Sequence, residues 1–570
     1  MSESIPPVFP GRPTRPLRRR LTAAFTALAL CLSGALSPVS AQNQLPSLGD
    51  PSGDDFSIAT EHRLGAEIMR EIRADPDYLD DPVLLEYVQS LWQPLMAQAR
   101  VRGNLSADID QRLAWDTFLV RDKEVNAFAL PGGFVGVYLG LIALTATRDE
   151  LASVLAHEMS HITQRHIARS IGNSKRQSIL SLAAMLAGLV VASQAGSSGI
   201  DAANAAVVGS QALAVQGQLN FSRDMEREAD RVGWQVMTGA GYAPGGMAAM
   251  FEKLEQSSRL NDSGGYPYLR SHPLTSERIG EARARMGVGG GAAPGAGAAS
   301  AAAAPSAAAA PPAVTASPAV VLSPVVVAAP AIPAQLEHVA AQARARVLMD
   351  SRFDALRRWQ ALDGDRVANT TGEKLLSAYS SALASTLLRD WARADTSIAV
   401  AAGLVRGNPR AERAVALLNV QSLLARGDVA RATKALDPYR TDGSRPTLLL
   451  AAQATLAATP ALAPDNAALR QRAEQLRTWT ATRPTDSLAW TALGQVEERL
   501  GQPLRALRAD AESRVALGDL EGAADRLRAG QRRARSGGAV DFIDVSVIDA
   551  RLRDVDAQIR LRKADDKSIR

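Results

Sequence analysis

The stretch Asp149-Glu150-Leu151-Ala152-Ser153-Val154-Leu155-Ala156-His157-Glu158-Met159-Ser160-His161-Ile162 decides how the rest of the chain is read. Leu151, Val154, Leu155, Met159 and Ile162 recur at the three- and four-residue spacing of a helix face, and Asp149 and Glu150 suit a helix N-terminus. The pattern predicts a helix over 149–169. Within it, His157 and His161 stand at i and i+4 on one face, so both imidazoles can reach one ion. Glu158 lies beside that face, where a carboxylate can hold a water against a metal.

A second predicted helix, over 221–237, carries Glu226-Arg227-Glu228-Ala229-Asp230. Glu226 and Asp230 are again i and i+4, so two carboxylates share one face. A zinc site of the two-histidine, one-glutamate type needs a carboxylate as third ligand and keeps a fourth position open. It is also served by a carboxylate on the far nitrogen of a ligand histidine. Glu226 fits the first role and Asp230 the second, whereas Glu228 points to another face and reads as surface. The chain has a single cysteine, Cys31, so no sulfur-ligated metal centre is available. Of the six histidines, three fall at His157, His161 and His166. On a continuous helix His166 lies ~2.5 and ~1.4 turns from the other two and faces away from the metal. His62, His166 and His338 receive no role.

These residues resemble the zinc metallopeptidase family that includes the HtpX heat-shock protease and the CAAX prenyl endopeptidases. The resemblance rests on Asn126-Ala127-Phe128-Ala129-Leu130-Pro131-Gly132-Gly133 and on His157 through His166. It continues through Phe221-Ser222-Arg223 with Glu226 to Asp230, and through Ser271-His272-Pro273 with Arg278. Order and spacing agree across about 60–285. The resemblance implies one zinc ion per chain held by His157, His161 and Glu226, with Glu158 as general base. It further resembles a periplasmic branch that joins this catalytic domain to tetratricopeptide repeats and supports outer-membrane β-barrel assembly.

Phe134-Val135-Gly136-Val137-Tyr138 reads as a strand after a Pro131-Gly132-Gly133 turn. An ordinary hairpin is one reading. The other is a substrate-binding strand, with Asn126, Ala127, Phe128, Pro131, Gly132 and Gly133, that takes an extended peptide on its edge. His272, in a Ser-His-Pro loop, either approaches the open metal position, blocking it or steadying an oxyanion, or is a surface histidine. Arg278 is a second candidate for the oxyanion.

The chain has 570 residues, and at roughly 100–200 residues per domain it holds several. Its 46% apolar content fills cores, and its 4% aromatic content leaves Ala and Leu to pack them, which favours helices. Residues 1–41 read as a signal peptide: Arg18-Arg19-Arg20, an apolar run Leu21 to Leu36, and Val39-Ser40-Ala41 as a cleavage site. An uncleaved anchor is the alternative. Residues 42–287 form the expected metallopeptidase domain and 288–335 an Ala/Pro-rich linker. The segment 336–535 is expected to be a tetratricopeptide-like repeat domain, and 536–570 a C-terminal helical tail.

The repeat reading rests on short polar turns followed by an alanine: Arg389…Ala394, Gly427…Ala432, Gly501…Ala506 and Gly518…Ala523. The first two spacings, 38 and 74 residues, give about 37 per unit, near the ~34 of tetratricopeptide helix pairs. Trp490-Thr491-Ala492-Leu493-Gly494 suits the opening of such a repeat, and an unrelated helical bundle is the alternative. The formal charge of +5 divides into +4 for residues 1–41, −7 for 42–287 and +8 for 336–570. This asymmetry permits one domain to dock electrostatically on the other.

The expected architecture is mainly α: an α+β metallopeptidase domain, helices with a small sheet, followed by an α-helical solenoid. The expected function is a zinc-dependent endopeptidase of the bacterial periplasm. It would degrade misfolded or stalled proteins and support outer-membrane β-barrel assembly. The competing function is a non-proteolytic chaperone or adaptor acting through the repeats. Expected partners are unfolded or misassembled proteins and, through the repeats, the outer-membrane assembly machinery. The charge-free run 179–192 is too short to span a bilayer and is a candidate for peripheral membrane contact. Nucleic acid is not expected, since basic residues are not interleaved with aromatics.

Overall fold

The computed structural model describes residues 56–172, 223–259, 267–289, 335–362, 369–459, 461–536 and 541–567. The expected signal segment, nearly all of the Ala/Pro-rich linker and the 179–192 run lie outside them. Four short strands form one sheet in the order β1-β2-β4-β3: β1 (Tyr78–Leu79), β2 (Asp116–Val120), β3 (Ala127–Leu130) and β4 (Phe134–Tyr138). β2 and β4 are parallel, while β3–β4 and β1–β2 are antiparallel. The predicted turn after Leu130 is present, with Gly132 and Gly133 at φ +83° and +86°, a backbone that side chains resist.

Strand side chains alternate between two cores, as a period of two requires. Phe118, Val120, Phe128, Leu130, Phe134 and Tyr138 face helix Ile58–Ala74 and its Met69 and Ile72. Leu119, Ala127, Ala129, Val135 and Val137 face the larger core, built on helices Pro82–Val101, Arg148–Thr163 and Arg223–Gly239. The small side chains of Ala127 and Ala129 let helix Arg148–Thr163 lie close against edge strand β3.

That helix starts at Thr147, whose hydroxyl accepts from the Glu150 amide at 3.2 Å. Every residue from Asp149 to Thr163 is buried, so protein covers it on all sides. The sequence predicts continuity to 169. The chain instead breaks after Gln164: Arg165 takes the left-handed φ of +52°, and a new helix, His166–Gly172, departs in another direction. A non-glycine residue there costs on the order of 1–3 kcal/mol. Buried Arg165 is held by bonds from its Nη2 to Phe56 O at 2.7 Å and to Glu61 at 3.5 Å.

Helix Arg223–Gly239 lies across helix Arg148–Thr163, and Gly233 sets the separation. A Cβ there would stand 3.0 Å from Ala156 O and 3.1 Å from His157 N. Backbone thus meets backbone at the residue beside the metal motif, and Glu226 and Asp230 are carried onto the histidines.

The C-terminal half is a helical, solenoid-like array. The four predicted turns sit at left-handed residues, Arg389, Gly427, Gly501 and Gly518, with φ of +59°, +81°, +71° and +78°. Asp390, Asp428 and Asp519 follow as N-caps, and Ala394, Ala432 and Ala523 are fully buried where helices cross. The first three turns divide hairpins. The fourth joins Pro503–Ala516 to Leu520–Arg535 and links successive pairs, which explains its short spacing from Gly501.

Helix Leu336–Met349 belongs to both halves. Ala341 and Ala345 enter the larger core beside the sheet, while Ala340, Ala343 and Val347 enter the first core of the array. His338 bonds the Tyr87 hydroxyl through Nδ1 and Thr145 O through Nε2, the latter at 2.9 Å. Arg344 forks onto Asp81, with both bonds at 2.7 Å. Arg413 reaches Glu86, Arg445 bonds both Asp80 and Asp486, and Arg562 reaches Glu71. In these pairs across the two halves the arginine comes from the basic half and the carboxylate from the acidic one.

Candidate metal centre

His157, His161, Glu226 and His272 each present a ligand atom, and these atoms lie within 4.8 Å of one another. All four side chains are buried. His157 Nε2 and His161 Nε2 are 3.0 Å apart, and each stands 3.5 Å from a Glu226 oxygen. The i, i+4 pairing predicted on each helix therefore converges on one point between them.

Behind this point the ligands are held in place. Asp230 Oδ1 lies 2.9 Å from His157 Nδ1, the nitrogen turned away from the cluster. Arg278 grips Asp230 through Nε at 2.7 Å and Nη2 at 2.8 Å, and its Nη1 is 2.8 Å from both Glu226 Oε2 and Pro273 O. Its guanidinium is thus committed to Glu226 and Asp230, behind the cluster. Glu158 is fully buried. One of its oxygens accepts from the Ala129 amide at 3.1 Å, and the other has no hydrogen-bond partner. His272 Nε2 is 3.6 Å from that free oxygen, and its Nδ1 is 3.0 Å from Glu226 and 3.3 Å from His157. His272 thus stands inside the ligand cluster and against Glu158.

The electrostatics fit a divalent cation. With the histidines neutral, as metal ligation requires, Glu158, Glu226 and Asp230 bring three buried carboxylates against one buried guanidinium, Arg278, a formal excess of two negative charges. Buried charge of this kind needs compensation. Burial opposes charge on His157, yet Asp230 and Glu226 outweigh it and push its pKa up to about 10. Burial raises Glu226, but His272 and His157 together carry it well below the carboxylate range. Burial, helped by the neighbouring charge of Glu226, raises Glu158 against the opposing pull of His272 and His157. His161, buried beside His157, falls well below the ordinary histidine value. Two imidazoles and a carboxylate facing one point, backed by hydrogen-bonded partners, form a suitable donor set for a metal ion.

β3 is the edge of the sheet. Tyr138 N donates to Asn126 O, so in the antiparallel alternation Phe128 and Leu130 bond β4, while Ala127 and Ala129 turn their backbone outward. The outward amide of Ala129 is the one that holds Glu158. Asn126, Ala127 and Phe128 are buried, so the strand offers the site backbone, with Pro131, Gly132 and Gly133 as its turn.

Three residues of the site were not singled out by the sequence reading. Tyr268 stacks on His272 with ring centroids 4.7 Å apart, a contact between chain segments that no spacing announces. His166 and Glu228 are the others. His166 is no ligand, yet the break at Arg165 swings its Nδ1 to 2.9 Å from His161 Nδ1. The helical extrapolation that turned it away assumed a helix that ends at Thr163. Glu228, read as surface, is partly buried and pairs with His166 at 3.1 Å and Arg169 at 3.0 Å. Burial lowers the His166 pKa to about 4, against the pull of Glu228.

The comparisons with known proteins agree with this geometry. The model of peptidase family M48 matches residues 87–286. A Vibrio cholerae relative, provisionally named a β-barrel assembly-enhancing protease, is 37% identical over 263 residues, 46% of this chain and 51% of its own. The β-barrel assembly-enhancing protease of Escherichia coli K12 is 33% identical over 273 residues, 48% of this chain and 53% of its own. The mitochondrial metalloendopeptidase OMA1 of Schizosaccharomyces pombe is 28% identical over 244 residues, 40% of this chain and 61% of its own. The chain spans about half the length of the β-barrel assembly-enhancing relatives it matches. The two histidines, the glutamate and the adjoining carboxylate gathered at this point all lie inside the span, residues 87–286, that matches peptidase family M48.

Proposed function

We propose that the chain is a zinc-dependent endopeptidase of the bacterial periplasm that cleaves misfolded or stalled proteins, outer-membrane β-barrels among them. The observation that carries this reading is the free, buried oxygen of Glu158 beside the His157, His161 and Glu226 cluster. The β-barrel destination is supported by the names of the bacterial relatives. The secreted location is supported by the arginine run, apolar stretch and small-residue site of residues 1–41.

His157, His161 and Glu226 would hold one zinc ion, with Asp230 fixing the His157 ring and Arg278 fixing Asp230 and Glu226. Bound zinc supplies Lewis acidity, acidifying water and polarising a peptide carbonyl. Glu158 takes the proton of the attacking water and returns it to the leaving amine. The Ala129 amide holds Glu158 in line, and the outward backbone of β3 receives the extended substrate by hydrogen bonds that ignore its side chains. Arg278 serves here as a positioning residue.

His272 fills the side of the cluster that water and substrate need, so this arrangement is a resting one. Its tether is short: the His272 amide bonds Tyr268 O at 2.8 Å at the end of helix Pro267–Ser271. The silent state also gives room to the adaptor reading, in which the helical array binds partners and cleavage is occasional. The array would recognise substrates or the assembly machinery as tetratricopeptide-like repeats do. Among the described residues no helix is long and apolar enough to cross a membrane. The test is cleavage of an unfolded outer-membrane β-barrel protein by the purified chain. We expect chelator-sensitive cleavage, restored by zinc. An intact substrate with zinc present, for both the parent and His272→Ala, would contradict the proposal.

A further inference from the structure

The two ligand histidines are backed differently, and the second backing has no assigned purpose. His157 turns its Nδ1 to a carboxylate, Asp230, held by Arg278. His161 turns its Nδ1 to another imidazole, His166, whose Nε2 lies 3.1 Å from Glu228 Oε2, itself 3.0 Å from Arg169 Nη1. We infer that His166 and Glu228 are positioning residues for the metal site, a His161–His166–Glu228–Arg169 chain that fixes the tautomer and ring angle of His161. The inference rests on the metal-site reading above and deepens it.

Hydrogen accounting carries it. His161 Nε2 faces the cluster, 3.0 Å from His157 Nε2. A ligating nitrogen carries no hydrogen, so the hydrogen of a neutral His161 is on Nδ1. At 2.9 Å that N–H donates to His166 Nδ1, which must be bare to accept it. The hydrogen of His166 is then on Nε2, where it donates to Glu228 Oε2. Arg169 donates to the same oxygen. Donors and acceptors alternate along the chain without conflict, and the alternation permits one tautomer of His161, the one that ligates through Nε2. With His161 alone reversed, two bare Nδ1 atoms would face each other; with both rings reversed, a bare His166 Nε2 would face the Glu228 carboxylate, acceptor against acceptor.

The backbone is bent to make this chain. Arg165, at φ +52°, turns His166 back onto His161, and its buried bonds to Phe56 and Glu61 hold the bend. Strain held at such a point is what a positioned functional group requires. Glu228 comes from the helix that supplies Glu226, so the chain also ties the two ligand-bearing helices together behind the metal. A neutral imidazole behind His161 adds no further carboxylate to Glu158, Glu226 and Asp230, and Glu228 stands toward the surface, beside Arg169.

The test is zinc affinity, measured on the full chain by competition with a chromogenic chelator. His166→Phe keeps a flat aromatic ring but removes the acceptor, and should weaken zinc binding about 10- to 100-fold, the usual cost of losing such a partner. His166→Gln offers an amide oxygen to the His161 N–H and should restore most of that loss. Unfolding of the metal-free variants is measured in parallel, because a packing role would make zinc affinity follow stability alone and leave Gln no better than Phe. Glu228→Ala, at a partly exposed position, gives an independent reading should His166→Phe fail to fold. Its loss should lie at the lower end of the same range, with Glu228→Gln milder. Parental affinity in the folded His166→Phe and Glu228→Ala variants overturns the positioning role alone. Absence of zinc binding in the parent chain overturns both this inference and the metal-site reading beneath it.

Discussion

Arg278 shows how strongly single side chains are coupled in this site. It is buried, it faces two carboxylates, and without it Glu226 and Asp230 lose a permanently charged partner. Arg278→Met should therefore cost about 3–5 kcal/mol of metal-free stability in denaturant unfolding. Added zinc should recover part of the loss, because a divalent cation answers the same excess charge. His272 works in the opposite direction. Its ring lies against Glu158 and inside the cluster, so His272→Ala should raise turnover of an unfolded substrate, read as a higher kcat. At this scale the sequence reveals His157, Glu158 and His161 because all three sit on one unbroken helix, where spacing is geometry. Glu226 and Asp230 are legible for the same reason. His166 is not, because one left-handed arginine changes the direction of the chain, and Tyr268 is not, because its contact joins segments far from the motif helix.

Among the elements, the crossing of helices Arg148–Thr163 and Arg223–Gly239 decides whether a site exists. Gly233 permits it, since a Cβ at that position would press on the Ala156 carbonyl and the His157 amide. Gly233→Val should destabilise the fold by about 1–3 kcal/mol through overpacking. It should also weaken zinc binding, measured by the same chelator competition, by moving Glu226 from the histidines. A variant that loses stability yet binds zinc as the parent does would show that the crossing has slack. Strands β3 and β4 were legible through Pro131-Gly132-Gly133 and the apolar run after it, whereas β1 and β2 were not read from the sequence. The turns of the helical array were legible through Gly427, Gly501 and Gly518, which occupy the left-handed positions glycine favours. Helix Arg148–Thr163 was legible through the spacing of Leu151, Val154, Leu155, Met159 and Ile162 together with its motif. Being buried on every side, it needs no polar face to mark its period.

Over the whole molecule, the opposite charges of the two halves become a set of specific contacts. Arg344, Arg413, Arg445 and Arg562 meet Asp81, Glu86, Asp80 and Glu71. The Arg344–Asp81 pair is the most buried of them, and Asp81 also caps helix Pro82–Val101 by accepting from Leu84 N. Arg344→Met should cost about 3–5 kcal/mol and split a single unfolding transition into two as the halves uncouple. Arg562→Met, at the exposed end, should change stability by less than about 1 kcal/mol. Composition made the docking conceivable through charge. Which arginine meets which carboxylate depends on helix Leu336–Met349 entering both cores, and its alanines gave no sign of two allegiances. The central claim, that Glu158 is the base of a metal-dependent peptidase, is tested most directly by measuring zinc content and casein cleavage together in the full chain and its Glu158→Gln variant. The account predicts one zinc per chain in both, with cleavage falling at least ~100-fold in the variant. Chelator-sensitive cleavage by Glu158→Gln at the parental rate would contradict it.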